Sequence, residues 1–246
     1  MKSHIQIPKC AFAEFTDGDK KFYKYNVLTN KISKGYPRST FTEENYFSEI
    51  MEKALSCQIE TPLGRLLDFA RKLPHEQGEV PFSEEIKNIA VNYAKSLMAR
   101  SPNLFQLIHN ESVFLQFFSL QDQHDMTVDY AMREEKMTEF FDGFDFSFMI
   151  NKTQTPFILP TRGIYDYRIN KIQCMNIPLN PYCAILLKEK GKAIHEANNP
   201  CEEIMIIPEG FDNVVHKING FAVLRQKNDG IGYVVCADKK VLEELV

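Results

Sequence analysis

His4 sits in the run Ser3-His4-Ile5-Gln6-Ile7-Pro8, and its imidazole titrates near neutral pH, so it can act as general acid or base. A φ-locking proline and the spaced Phe12 and Phe15 would hold this run against the fold and fix the ring. A histidine bonded to backbone near the terminus is the structural alternative. Arg100 closes a strongly amphipathic stretch, and its planar fork of donors suits a phosphate or a carboxylate. A cation at that place also complements a helix dipole by about 0.3–1 kcal/mol with no ligand at all. His216 and Asn219 stand one helical turn apart and could line a common pocket, although an amphipathic helix puts polar residues toward solvent in any case.

Other patterns carry less. Asp229 with Asp238-Lys239-Lys240 has the outline of a carboxylate-lysine nuclease site, but Asp229-Gly230 reads as a turn and Asp238 as a helix cap. Asp17 and Asp19 could hold a cation, yet a tight turn uses the same residues. The chain has no Walker loop, GxGxxG, GxSxG or HExxH. None of the histidines (His4, His75, His109, His124, His195, His216) pairs with another at i+3 or i+4, so no helical metal face and no metal site is expected, and the cofactor is unknown from sequence.

The elements that must position these residues fall into blocks. Thr16-Asp17-Gly18-Asp19 and Thr29-Asn30 punctuate the aromatic strand Phe22 to Val27, so a small antiparallel meander is expected at the start. From Thr40 the period becomes helical: Thr40 and Glu43 have capping-box spacing, with Phe47, Ile50, Met51, Ala54 and Leu55 on one stripe. Thr61-Pro62 opens a second helix, with Leu63, Leu66, Leu67 and Ala70 apolar until Pro74. Ser83-Glu84-Glu85 opens a third, ending near Arg100-Ser101-Pro102. Helical stretches are expected from about Asn103 to Phe118 and Met126 to Phe141. Phe144 to Ile150 alternates like a half-buried strand, and short strands follow near Pro156 to Leu159, Ile172 to Ile177, Tyr182 to Leu187, Ile204 to Ile207 and Ile231 to Ala237. Asp212 is expected to cap a helix carrying Val215, Ile218 and Ala222. Strands in blocks around a block of helices predict an α+β fold: an N-terminal β meander, a helical middle and mixed, mostly antiparallel C-terminal strands.

With 246 residues, 44% of them hydrophobic, the chain can bury a substantial core, and no linker, repeat or low-complexity tract divides it, so one domain over 1–246 is expected. A net charge of −4 gives no generic nucleic-acid footprint, and no apolar run approaches the roughly 20 residues that span a bilayer. Cys10, Cys57, Cys174, Cys183, Cys201 and Cys236 are scattered without metal-binding spacing. Together with the lack of a leader before Met1-Lys2-Ser3, they point to a reducing cytoplasm.

The Ser-His-Ile-Gln-Ile-Pro opening with Phe15, the Phe22-Tyr23-Lys24-Tyr25 strand, Glu44-Asn45-Tyr46-Phe47-Ser48 and Leu97-Met98-Ala99-Arg100-Ser101-Pro102 come in a characteristic order. So do Thr155-Pro156, Ile177-Pro178-Leu179-Asn180-Pro181 and the late helix Val215 to Arg225 with Asn219. In this order they resemble domain-of-unknown-function family 4238, over nearly the whole chain. The resemblance implies a bacterial protein and marks His4, Arg100 and Asn219 as positions of interest, without naming a reaction. Two departures stand out. Thr153-Gln154-Thr155-Pro156 replaces a Ser-Asp-Asn-Pro type motif, removing a carboxylate, and His4 lies four residues before Pro8 where relatives have three.

Two functions are expected on these grounds. The first is an enzyme-like protein, a hydrolase by class, acting on a phosphate-bearing, nucleotide-like or nucleic-acid-related ligand, in a defence or toxin-like setting. His4 would be its acid or base, with Arg100 and Asn219 as binding residues. The alternative is a non-catalytic interaction or regulatory protein that has lost the family's site; it would expose an apolar patch.

Overall fold

The computed structural model describes residues 7–37, 39–75, 83–192, 204–230 and 232–245, with 2–4, 111 and 113 described by backbone only. His195 and Cys201 lie outside the described residues. The N-terminal block is not a plain meander. β1 (Lys2–His4) pairs antiparallel with β4 (Thr42–Glu44), and α1 (Lys9–Ala13) comes between β1 and the β2 (Phe22–Asn26)/β3 (Lys31–Gly35) hairpin. The Asp17-Gly18 turn therefore joins a helix to a strand: Asp17 Oδ1 accepts from the N–H groups of Asp19 (3.0 Å) and Lys21 (2.9 Å). The second turn is as expected, with Asn30 at positive φ and its Oδ1 accepting from Tyr25 Oη at 2.9 Å.

Thr40 and Glu43 form no capping box. Thr40 Oγ1 accepts from the Tyr36 N–H at 3.1 Å, and positive φ at Phe41 and Asn45 frames the short strand β4. The helix begins only at α2 (Glu49–Leu55), capped by Ser48 Oγ on the Met51 N–H at 3.1 Å. That later start rotates Ile50 out to 83% exposure. A five-residue π-turn (Ser56–Glu60) then joins α2 to α3 (Thr61–Lys72) without a break, and Leu63, Leu66, Leu67 and Ala70 are buried as the stripe requires.

α4 (Glu84–Ala99) starts as its sequence dictates, with Ser83 Oγ accepting from the Ile86 N–H at 3.2 Å and two glutamates in the first turn. The rest of the helical middle is more finely divided than its periodicity suggests. Ser112 takes φ −111°, ψ 95°, which ends α5 (Pro102–Glu111) before a 3-10 turn (Val113–Phe117). Ser119 caps α6 (Leu120–Arg133), which begins six residues before Met126, and extended backbone at Glu134 separates it from α7 (Glu135–Asp142).

The five-stranded sheet runs β10 (Ile204–Ile207), β5 (Phe144–Asn151), β9 (Cys183–Glu189), β8 (Ile172–Asn180), β7 (Tyr165–Ile169), antiparallel except for the parallel β10/β5 pair. A four-stranded antiparallel sheet runs β3, β2, β11 (Tyr233–Cys236), β6 (Leu159–Pro160). β7 was not expected, and Pro156 to Leu159 contributes only its last residue to β6.

Alternate residues of the larger sheet enter two separate cores. Phe148, Ile150, Ile177, Ile185 and Leu187 pack with α3 and α4, while Met149, Cys174, Ala184 and Leu186 pack with β11 and α8 (Asp212–Asn228). β5 is thus buried on both faces from Ser147 to Asn151, not half-buried, because each face has its own cover. The last helix, α9 (Lys239–Glu243), is capped by Asp238 as expected. Strands flanking a helical block make this an α+β fold.

Candidate functional site

On α4, Ile89, Tyr93, Leu97 and Arg100 recur at helical spacing on one stripe, and all four are sealed, at 9, 1, 0 and 3% exposure. Arg100 therefore occupies a core position. Its φ −85°, ψ 3° ends the helix and Ser101-Pro102 begins α5 at once, so the side chain issues from the corner between two helices. Among the described residues nothing accepts a hydrogen bond from its Nε or Nη2, and the hydroxyls of Tyr93 and Ser101 are unpartnered too. Buried polar groups are almost always satisfied, so four such atoms within one turn-and-corner call for an explanation.

The neighbours set the electrostatics. Burial draws the Arg100 guanidinium below its ordinary value, opposed first by Glu60 and then by Tyr93, Glu52 and Cys10. Glu60, the last residue of the π-turn, is raised by burial and pulled back by Arg100. Burial also lifts the Cys10 thiol to about 11 and the Tyr46 phenol to about 12, and it raises Tyr93. At neutral pH these three groups carry no charge, which leaves Glu60 as the strongest anionic influence on an arginine with free donors. Next to Tyr46, His124 stacks on its ring at 3.8 Å and meets Phe105 edge-on at 4.4 Å, with Nδ1 3.2 Å from the Tyr46 carbonyl.

The backbone of His4 pairs with Thr42, on the strand that leads into Tyr46. Further along the same N-terminal segment, Ile7 and Leu97 meet over Gly163, where a Cβ would lie 2.6 Å from Leu97 Cδ2 and 3.2 Å from Ile7 Cγ1. The segment bearing His4 thus runs to the last turns of α4, near Arg100; the His4 side chain lies outside the described atoms. A cleft of about 440 Å³ opens between the π-turn, α3 and α4, with Ile59, Ile89 and Tyr93 in its lining. The Arg65–Glu85 ion pair also lines it.

Asn219 belongs to the other core. It is 0% exposed; its Oδ1 accepts from the Ile158 N–H at 3.2 Å and its Nδ2 donates to the Pro156 carbonyl at 2.9 Å. The amide thus fixes residues 156–158, across the five-stranded sheet from Arg100. His216, one turn earlier, has Nε2 3.5 Å from both Thr155 Oγ1 and Glu244 Oε2. A nucleophile relay needs its two partners on different ring nitrogens, and the Thr155 hydroxyl donates instead to Asp212 at 2.8 Å. The same contact means that Asp212 braces Thr155 and does not cap its own helix. Asp229 is held by Arg162 and Arg225, which consumes the carboxylate a nuclease site would need. Among the described residues no three metal-ligating side chains converge.

No protein-family model matches the chain, and no curated protein or solved structure does either. The site must be judged on its own chemistry. Tyr93, Ser101, Glu60 and Tyr46 were not singled out by sequence reading, because each is unremarkable alone. One signal was available: continued past Leu97, the apolar stripe of α4 places Arg100 inside, not on the dipole-facing surface.

Proposed function

We propose that this chain is an enzyme-like, anion-directed α+β protein with its site at Arg100, and that it belongs to domain-of-unknown-function family 4238. The observation that carries the reading is the unpaired Nε and Nη2 of a guanidinium only 3% exposed. These two donors form one edge of the fork, the edge that grips a phosphate or carboxylate through two parallel hydrogen bonds. The Tyr93 and Ser101 hydroxyls supply further unused donors, and the protonated thiol and phenols around them repel no anion. A phosphate-bearing small molecule, nucleotide-like in class, enters through the cleft that Tyr93 lines, with His4 as acid or base in its hydrolysis. Five free cysteines among the described residues, three of them buried, favour a reducing cytoplasm.

The test is a thermal-shift series with inorganic phosphate and nucleoside monophosphates on wild type, Arg100→Lys and Arg100→Met. Wild type is expected to gain several degrees with a phosphate-bearing ligand; the lysine variant keeps part of the gain and the methionine variant none. Without ligand, Arg100→Met should melt at or above the wild-type temperature, since it removes a buried charge two of whose donors are idle. A large loss of stability in ligand-free Arg100→Met, or no ligand shift in wild type, overturns the reading. If a ligand is found, loss of phosphate release in His4→Ala with the ligand shift intact assigns the acid–base role.

A further inference from the structure

An exposed apolar face lies on the outer side of the helical middle. Phe114, Phe117, Leu120 and Tyr130 are 66, 82, 58 and 58% exposed, far beyond what isolated surface apolar residues require. Ile108, Phe114, Leu115, Met126 and Tyr130 line an apolar groove of about 350 Å³ between α5, the 3-10 turn and α6. Along α6, Asp122, Met126 and Tyr130 recur every four residues, and Glu134, the extended residue that ends the helix, accepts from the Tyr130 hydroxyl, so the apolar floor has a carboxylate at each end. Residues 103–142 hold eight acidic and two basic side chains, a local charge more negative than the −4 of the whole chain.

We infer that this groove binds a basic amphipathic helix of a partner protein. Charge complementarity selects that occupant: apolar anchors at i, i+3/i+4 and i+7 fill the groove, and Lys or Arg at the two ends meets Asp122 and Glu134. Asp122 lies in the first turn of α6 and Glu134 just past its last residue, so about 18 Å of helix rise separates the two positions and the basic ends of the partner are about three turns apart. The inference does not depend on Arg100, which lies in the core of the molecule.

Fluorescence anisotropy with two labelled 14-residue probes tests it: an amphipathic Leu/Lys helix and its Leu/Glu counterpart, each at low and high salt. The Leu/Lys probe should bind at least tenfold more tightly than the Leu/Glu probe. Phe117→Ser and Tyr130→Ser should each weaken it at least fivefold. Asp122→Lys with Glu134→Lys should weaken it about tenfold and flatten its salt dependence, with circular dichroism and melting temperature confirming that every variant is folded. Equal binding of both probes, or binding unaffected by these substitutions in folded protein, overturns the inference. So does a concentration-dependent dimer that Phe117→Ser abolishes, which assigns the face to a second copy of this chain.

Discussion

Arg100 carries a charge at a position where the stripe of α4 asks for a Leu or Met, and two of its donors are idle. An isolated buried charge costs several kcal/mol unless something pairs it, so in the ligand-free protein this residue works against stability. Asn219 is the contrasting case: buried equally deeply, but with both ends of its amide spent on backbone. Asn219→Ala would orphan the Ile158 N–H and the Pro156 carbonyl and should cost about 2–4 kcal/mol in urea unfolding; a cost under about 0.5 kcal/mol would show that water replaces the amide. His124 gives a pH signature. Burial holds its ring below the ordinary 6.5, so the folded state binds fewer protons than the unfolded chain around that pH. Its contribution to stability is complete above pH 6.5 and is lost as pH falls through the lower folded value. Melting temperature from about pH 7 to about pH 5 should therefore fall less steeply in His124→Gln than in wild type, and parallel slopes would contradict this. At this scale the donor fork of Arg100 was legible from its residue type, whereas the two backbone hydrogen bonds of the Asn219 amide were not. The roles of Tyr93, Ser101 and Glu60 were not legible, because they depend on which distant segments the fold brings to the end of α4.

Among the elements, those whose signals are local were legible in the sequence: the cap at Ser83, Pro62 opening α3, and the alternation through β5. What escaped depends on partners far along the chain. β4 replaces a helix start because β1 supplies it with a pairing edge, and β5 is buried twice because α3 and α4 cover one face while α8 and β11 belong to the core on the other. The end of α4 rests on one such long-range contact, at Gly163. Its φ of +76° and the 2.6 Å approach to Leu97 Cδ2 both demand glycine. Gly163→Ala should destabilise the protein by roughly 2–3 kcal/mol, combining left-handed strain with overpacking. Since Leu97 is one turn before Arg100, the same substitution should also weaken anion binding. Leu97→Ala made in the Gly163→Ala background should recover part of the lost stability in chemical denaturation; strict additivity would mean the two residues are not coupled as the contact requires.

Across the whole molecule, the five-stranded sheet divides the chemistry into two halves. Arg100, Glu60, Tyr93 and Cys10 belong to the helical side together with the N-terminal segment, whereas Asn219, Asp212 and His216 brace residues 155–158 on the other. Asn219, Asp212 and His216 are occupied with their neighbours and with backbone, whereas Arg162 Nε and Asn176 Oδ1 are left without partners. Unused donors are concentrated in the first half, and the acidic apolar face on α5 and α6 lies outside both cores. Among the described residues no helix is long and apolar enough to cross a membrane. The central claim is that the idle edge of Arg100 is an anion seat. Crystals soaked in tungstate, a heavy phosphate mimic, test it most directly. An anomalous peak within hydrogen-bond distance of Arg100 Nε and Nη2, absent in Arg100→Met, is the predicted result. An empty edge in soaked crystals, with those two donors satisfied by ordered water or by the Glu60 carboxylate, would contradict the account.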